Sequence, residues 1–192
     1  MNIFNENIAR LSTRNPDLAA STKSVGGGTL TVEPARNGAP SAQRGGRWIH
    51  SAYDPIREAE TWAKSHAPSC QAGETIVIAG VGLLYHVEAL RKSLSPDCAI
   101  AVLIPNIDEF HDALSARSLG CWSEHITWLF GRPSESAQEL AATGRPLRCL
   151  SYTPAAQPDA DFHQTFQQIL RRNIASHTGG QLTITLVGPI YG

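Results

Sequence analysis

No two cysteines of this chain stand at metal-binding spacing. Cys70, Cys98, Cys121 and Cys149 are scattered singly, so the sequence holds neither a zinc-ribbon pattern nor a CxxC redox pair, and no metal is expected. Cys98 and Cys149 open apolar runs and read as small buried thiols, while Cys70 and Cys121 fall in loops with no adjacent base to activate them. Charge of one sign is missing as well. Sixteen Lys and Arg stand against 17 Asp and Glu, a net charge of −1, which gives no electrostatic basis for nucleic acid or an anionic membrane as partner. No segment approaches the roughly 18 apolar residues needed to span a bilayer. The N-terminus carries Asn2, Glu6 and Arg10 where a secretory signal needs an apolar stretch, and the expected location is cytoplasmic. Internal repeats and low-complexity tracts are absent too.

What is present is a 42% hydrophobic fraction over 192 residues, enough to bury the core of one domain with a small appendage. The rhythm changes near residue 70. Before it, Ile3, Phe4, Ile8 and Leu11 have helical spacing, and Asn15 with Pro16 can cap and open a second helix. Gly26-Gly27-Gly28 breaks the chain. Thr29 to Glu33 alternates like a strand, and pairing with Arg47 to His50 across the turn-rich 37–46 predicts a hairpin. Asp54 and Pro55 then start a helix whose apolar face is Ile56, Ala59, Trp62 and Ala63. Residues 1–70 thus read as a helix-and-hairpin appendage. From 71 to 192 strands alternate with helices: strands at 75–79, 99–104, 125–130, 148–152 and 182–187, helices at 83–94, 107–117, 134–143 and 160–175. Continuous apolar strands alternating with helices predict an α/β, Rossmann-like, doubly wound and mostly parallel sheet.

The segment that offers chemistry is the first strand of that sheet and its turn, Ile76 to Ala79 followed by Gly80-Val81-Gly82. A strand, a tight glycine turn and a helix start are the layout that holds phosphate or nucleotide groups. Gly80 and Gly82 are therefore candidate cofactor-binding positions, with Tyr85 and His86 facing the turn's mouth and His86 a possible proton carrier or phosphate contact. The alternative is that Tyr85 packs and His86 caps the helix at the surface. At the tip of the next strand, Ile104 stands where dinucleotide and S-adenosylmethionine sites carry an acid. Asn106 offers one weaker ribose contact, and Asp108 and Glu109 are expected to point away. Ser51, Tyr53, Asp54 and Glu58 gather at one helix start, either as a ligand or docking clamp or as helix caps. His111, His163, Arg10, Arg171 and Arg172 read as solvated positions, and Trp62 and Trp128 as core.

Four segments in order resemble the N-terminal region of the bacterial motility-associated factor family, flagellin-modifying glycosyltransferase-like proteins related to pterin diphosphokinase-like folds. They are Phe4 to Leu11 with Asn15 to Ala19, His50 to Ala59, Gly80 to His86, and Ile104 to Phe110. The Ser-x-Tyr-Asp-Pro-x-x-Glu-Ala stretch, Ser51 to Ala59, is the most specific. The resemblance implies a longer parent, in which a second Rossmann-like domain with its own Gly-Pro-Ser turn carries sugar transfer. Gly188-Pro189 lacks that serine, so the chain is expected to be a fragment or a stand-alone version of the N-terminal domain. Where this family has a third turn glycine, the chain has Leu84.

These readings converge on an accessory docking or assembly domain, without catalysis of its own. Its partners would be the missing catalytic domain or a partner protein, with flagellin or a surface protein as acceptor. Two other expectations compete with it. One is a small-molecule-binding Rossmann domain or S-adenosylmethionine-dependent methyltransferase-like enzyme with a degenerate site. The other is the nucleotide-sugar-binding part of a glycosyltransferase.

Overall fold

The computed structural model describes residues 2–178 and 184–187, with side chains through residue 173. The chain gathers into two compact units that interleave in sequence. The first takes residues up to Ala67, then Val81–Ser93 and Asn106–Ile126; the second takes Pro68–Gly80, Leu94–Pro105 and residues from Thr127 on.

In the first unit α1 (Ile3–Ser12) and α2 (Pro16–Lys23) are followed by β1 (Thr31–Pro34), β2 (Pro40–Arg44) and β3 (Arg47–Trp48), then α3 (Pro55–His66), α4 (Tyr85–Ser93) and α5 (Ile107–Ala116). The expected hairpin is wrong in its pairing. β1 pairs with β2, Val32 opposite Ala42, and β2 pairs with β3, Gln43 opposite Trp48, in a three-stranded antiparallel sheet. The segment taken for one long turn holds two short ones at Gly38 and Gly45-Gly46, all three glycines at positive φ, and a strand between them whose Ala42 and Ser41 are buried. Small polar residues there hid the strand from a hydrophobicity pattern. Asn15 occupies the cap position of α2 but its side chain makes no capping bond.

Asp54 does cap α3. Its Oδ1 accepts from the Arg57 N–H at 2.9 Å, and Pro55 holds the first helical position. Asp54→Ala is expected to cost about 1 kcal/mol, lowering Tm by about 2–4 °C in a chain of this size. A thermal melt indistinguishable from wild type would mean the cap is carried elsewhere. The buried face of α3 is Pro55, Ala59 and Ala63. Ile56, expected on that face, is 46% exposed, and Trp62, expected in the core, is half-buried.

The second unit is the sheet: β4 (Thr75–Ala79), β5 (Ala99–Ile104), β6 (Ile126–Phe130), β7 (Leu147–Ser151) and β8 (Ile184–Val187), with α6 (Pro133–Ala142), the short α7 (Thr153–Ala156) and α8 (Ala160–Thr178). Strand order is β6-β5-β4-β7-β8, and β4 runs parallel to β5 and β7, as β7 does to β8. The order reverses at β4, the doubly wound, Rossmann-like pattern. All five residues of β4 are buried, so the apolar run needs no alternation. On one face Val77, Leu103, Leu147 and Cys149 pack with Leu140 of α6 and Phe166 and Leu170 of α8, each large side chain contributing about 1.5–3 kcal/mol. Positions 182–183 of the last expected strand, and Gly188-Pro189, lie outside the described residues. No described helix is long and apolar enough to cross a membrane.

Candidate functional site

Three left-handed residues carry the chain from β4 into α4: Gly80 at φ 99°, Gly82 at φ 48° and Leu84 at φ 63°. Leu84 is the one non-glycine among the described residues with positive φ, a conformation costing about 1–2 kcal/mol for an L-residue. Its side chain is fully buried, and that burial offsets the strain. The helix therefore starts at Tyr85, two residues later than the sequence suggested.

Two of the turn's backbone donors, the N–H groups of Gly82 and Leu83, are engaged by side chains of the first unit. The Gly82 N–H donates to Glu109 Oε1 at 2.8 Å. The other carboxylate oxygen of Glu109 accepts from Arg44 Nη1 at 2.7 Å, and Glu109 is 1% exposed. The expectation that Glu109 points away is thus overturned. Asn106 accepts from the N–H groups of Asp108 and Glu109, and the α5 turn so started swings Glu109 toward Gly82. Asp108 turns instead to the Gly27 N–H. The Leu83 N–H donates to His50 Nε2 at 2.8 Å. An accepting Nε2 places the proton on Nδ1, which lies 3.7 Å from Glu58 Oε2. Burial pushes the His50 pKa below its ordinary value, with Glu58 opposing, so this imidazole is held neutral. Gly82 must be glycine here, because a Cβ would sit 2.6 Å from His50 Nε2.

The sequence-predicted polar groups serve this arrangement. Ser51 Oγ accepts from the Tyr53 and Asp54 N–H groups at 3.2 Å, and the Ser51 N–H donates to Glu58. The Ser51, Asp54 and Glu58 contacts are those of helix capping, and they fix His50 at the segment's head. Tyr53 is 66% exposed and has the Arg36 guanidinium over its ring. Tyr85 packs, its OH donating to Pro40 O at 2.9 Å under the Arg117 guanidinium. His86 is not a surface cap: it is fully buried, with Trp62 edge-on at 5.5 Å. Arg44 was not singled out by the sequence, and His50, read there only as a strand-bordering histidine at the head of the second family-like segment, proves to be the acceptor for the Leu83 N–H.

Ligand-sized space in this unit lies apart from the engaged donors. A groove of about 450 Å³ runs along α3 and α4, lined by Ile56, Ala59, Lys64, Tyr85, Lys92 and Arg117, a volume within the range of small-molecule sites. Arg117 is held there by Leu83 O and by an ion pair with Glu88, which also binds Lys92. These cations lower the Glu88 pKa against the opposing effect of burial.

In the second unit the carboxyl end of β4 is covered as well. The Tyr152 N–H donates to Ala79 O, and a Cβ on Gly80 would lie 2.8 Å from both Ala156 N and Tyr152 O. The start of α7 thus covers the end of β4, next to the point where strand order reverses and open α/β sheets take ligands. His163, expected to be solvated, is 6% exposed. It lines a cavity of about 10 Å³ with Ala79, Leu103 and Cys149, and neither ring nitrogen has a hydrogen-bond partner among the described residues. Burial holds its pKa down to about 4 and pushes the Cys149 thiol up to about 12. Among the described residues no three His, Cys, Asp or Glu side chains cluster to hold a metal.

No protein-family model matches this chain, and no curated protein sequence matches it. Among solved structures, the MAf glycosyltransferase from Magnetospirillum magneticum AMB-1 is similar in fold, with a TM-score of 0.63 at 13% identity over 88% of this chain. The chain spans 35% of that protein's length. The Rossmann-like architecture is thus shared with a segment of a larger glycosyltransferase.

Proposed function

We propose that this chain is an accessory docking or assembly domain of a motility-associated, glycosyltransferase-like protein, without catalytic activity of its own. The observation that carries the reading is that two donors of the glycine turn are taken: Gly82 and Leu83 give their N–H groups to Glu109 and His50 rather than leaving them for a phosphate. Support comes from the fold likeness to part of the MAf glycosyltransferase and from the four family-like segments. Their residues act in this domain as structural clamps. On this reading catalysis belongs to a further domain or partner protein, the acceptor is flagellin or a surface protein, and the setting is the bacterial cytoplasm.

Calorimetric titration with S-adenosylmethionine, NAD and a CMP-activated sugar tests it. No heat of binding up to millimolar ligand is expected, and saturable binding of any of the three sinks the docking-only reading. The groove along α3 and α4 favours one competitor, a nucleotide-sugar-binding part of the transferase. If the CMP-sugar does bind, Lys92→Ala and Lys64→Ala should weaken it while Gly82 remains engaged as described. Unchanged affinity in both variants would remove the groove from consideration.

A further inference from the structure

The Glu109 carboxylate is gripped at both oxygens, by a backbone N–H on one and a guanidinium on the other, at 2.8 and 2.7 Å. It is a charged group buried to 1% exposure, and such a group is tolerated only with its lone pairs satisfied. The Gly82 N–H and Arg44 come from different elements and meet at this one planar anion. We propose that they form a carboxylate-binding cradle whose ligand is supplied in cis by Glu109, and that the cradle takes a small external carboxylate when that side chain is removed. The inference rests on the contacts of the turn and not on the docking role, so either can fail alone.

Size and shape set the ligand class. The two contacts fall on two oxygens of one carboxylate, which formate or acetate reproduces. Phosphate is tetrahedral and bulkier than the planar carboxylate that these two contacts hold. Arg44 keeps 20% of its side-chain surface in solvent, which leaves an approach to the cradle.

The test is a thermal melt of the full chain as wild type, Glu109→Ala and Arg44→Met/Glu109→Ala, in formate, acetate, phosphate and chloride at equal ionic strength. Glu109→Ala should melt below wild type in chloride. In formate its Tm should rise by about 3–6 °C per tenfold concentration above the dissociation constant, with wild type and the double variant unmoved. If Glu109→Ala does not fold in chloride, recovery of its circular dichroism in formate is the same positive result. The proposal is overturned by a Glu109→Ala variant that no carboxylate stabilises or refolds, by an equal rise in wild type or the double variant, or by rescue with phosphate alone.

Discussion

Gly80→Ala should destabilise the chain by about 4 kcal/mol, lowering Tm by roughly 10 °C, before any ligand is considered. Two costs combine. An L-residue at φ 99° is strained by about 1–3 kcal/mol. The new methyl would also lie 2.8 Å from two backbone atoms, Ala156 N and Tyr152 O, and overpacking of this kind costs about 1–3 kcal/mol. Backbone cannot step aside as the end of a side chain can, and Tyr152 is already tied to Ala79 O. Gly26→Ala is the control: nothing lies within 4 Å of its added methyl, and a change within about 0.5 kcal/mol is expected. The comparison bears on function. A glycine kept for close approach of a phosphate could accept a methyl and keep the fold, losing only binding. A glycine kept for packing loses the fold first. Urea denaturation of both variants separates the cases, and a Gly80→Ala midpoint equal to wild type would return Gly80 to the ligand-binding reading.

The sheet was legible because its strands are continuous apolar runs bounded by turn residues, and 75–79 and 99–104 came out at the observed bounds. Parallel strands buried on both faces leave that mark whatever their function. β2 was not legible because Pro-Ser-Ala-Gln-Arg has neither alternation nor β-branched residues; antiparallel hydrogen bonds and tight turns on either side make it a strand. α7 was missed for the same reason in helical form, being one turn long. The candidate site was legible as a set of segments but not as contacts. Sequence spacing places Glu109 on a helix, but says nothing of which face of the turn that helix start will meet. That was decided by Asn106, whose side chain caps α5 rather than waiting for a ribose hydroxyl.

Brought together, the family-like segments explain one another. Asn7 of the first reaches Leu114 O and Arg117 O at 2.8 Å and accepts from the Leu119 N–H, so it closes the carboxyl end of α5. The second, through Glu58 and Ser51, sets His50 against Leu83. The third supplies the N–H groups, and the fourth supplies Asn106 and Glu109. Of the polar residues that a sequence comparison would flag as functional, Asn7, His50, Ser51, Asp54, Glu58, Asn106 and Glu109 are bonded within the same unit, while Tyr53 stays exposed. Buried polar groups that are fully partnered specify one arrangement and are costly to change, which is reason enough for such residues to persist without a substrate.

His163 does not follow that pattern, and acid should expose it. Its folded-state pKa, held to about 4 by burial, lies below the ordinary 6.5 of an unfolded histidine. Between those values the unfolded chain binds a proton that the folded chain refuses. Stability is therefore fully present above pH 6.5 and is lost as pH falls, by about 2 kcal/mol at pH 5 and about 3 kcal/mol at pH 4. His50, also pushed down by burial, adds loss of the same sign, and its protonation removes the acceptor for the Leu83 N–H. His163→Leu separates the two. Leucine carries no titrating group and removes two buried nitrogens that lack hydrogen-bond partners among the described residues, so the variant should match or exceed wild type at pH 8. At pH 5 it should exceed wild type by about a further 2 kcal/mol, while keeping the part of the acid loss that belongs to His50. Urea midpoints at the two pH values read this directly. Parallel pH profiles for wild type and His163→Leu would mean that His163 takes up its proton without unfolding the chain, and the acid sensitivity would then rest on His50 and its bond from the Leu83 N–H.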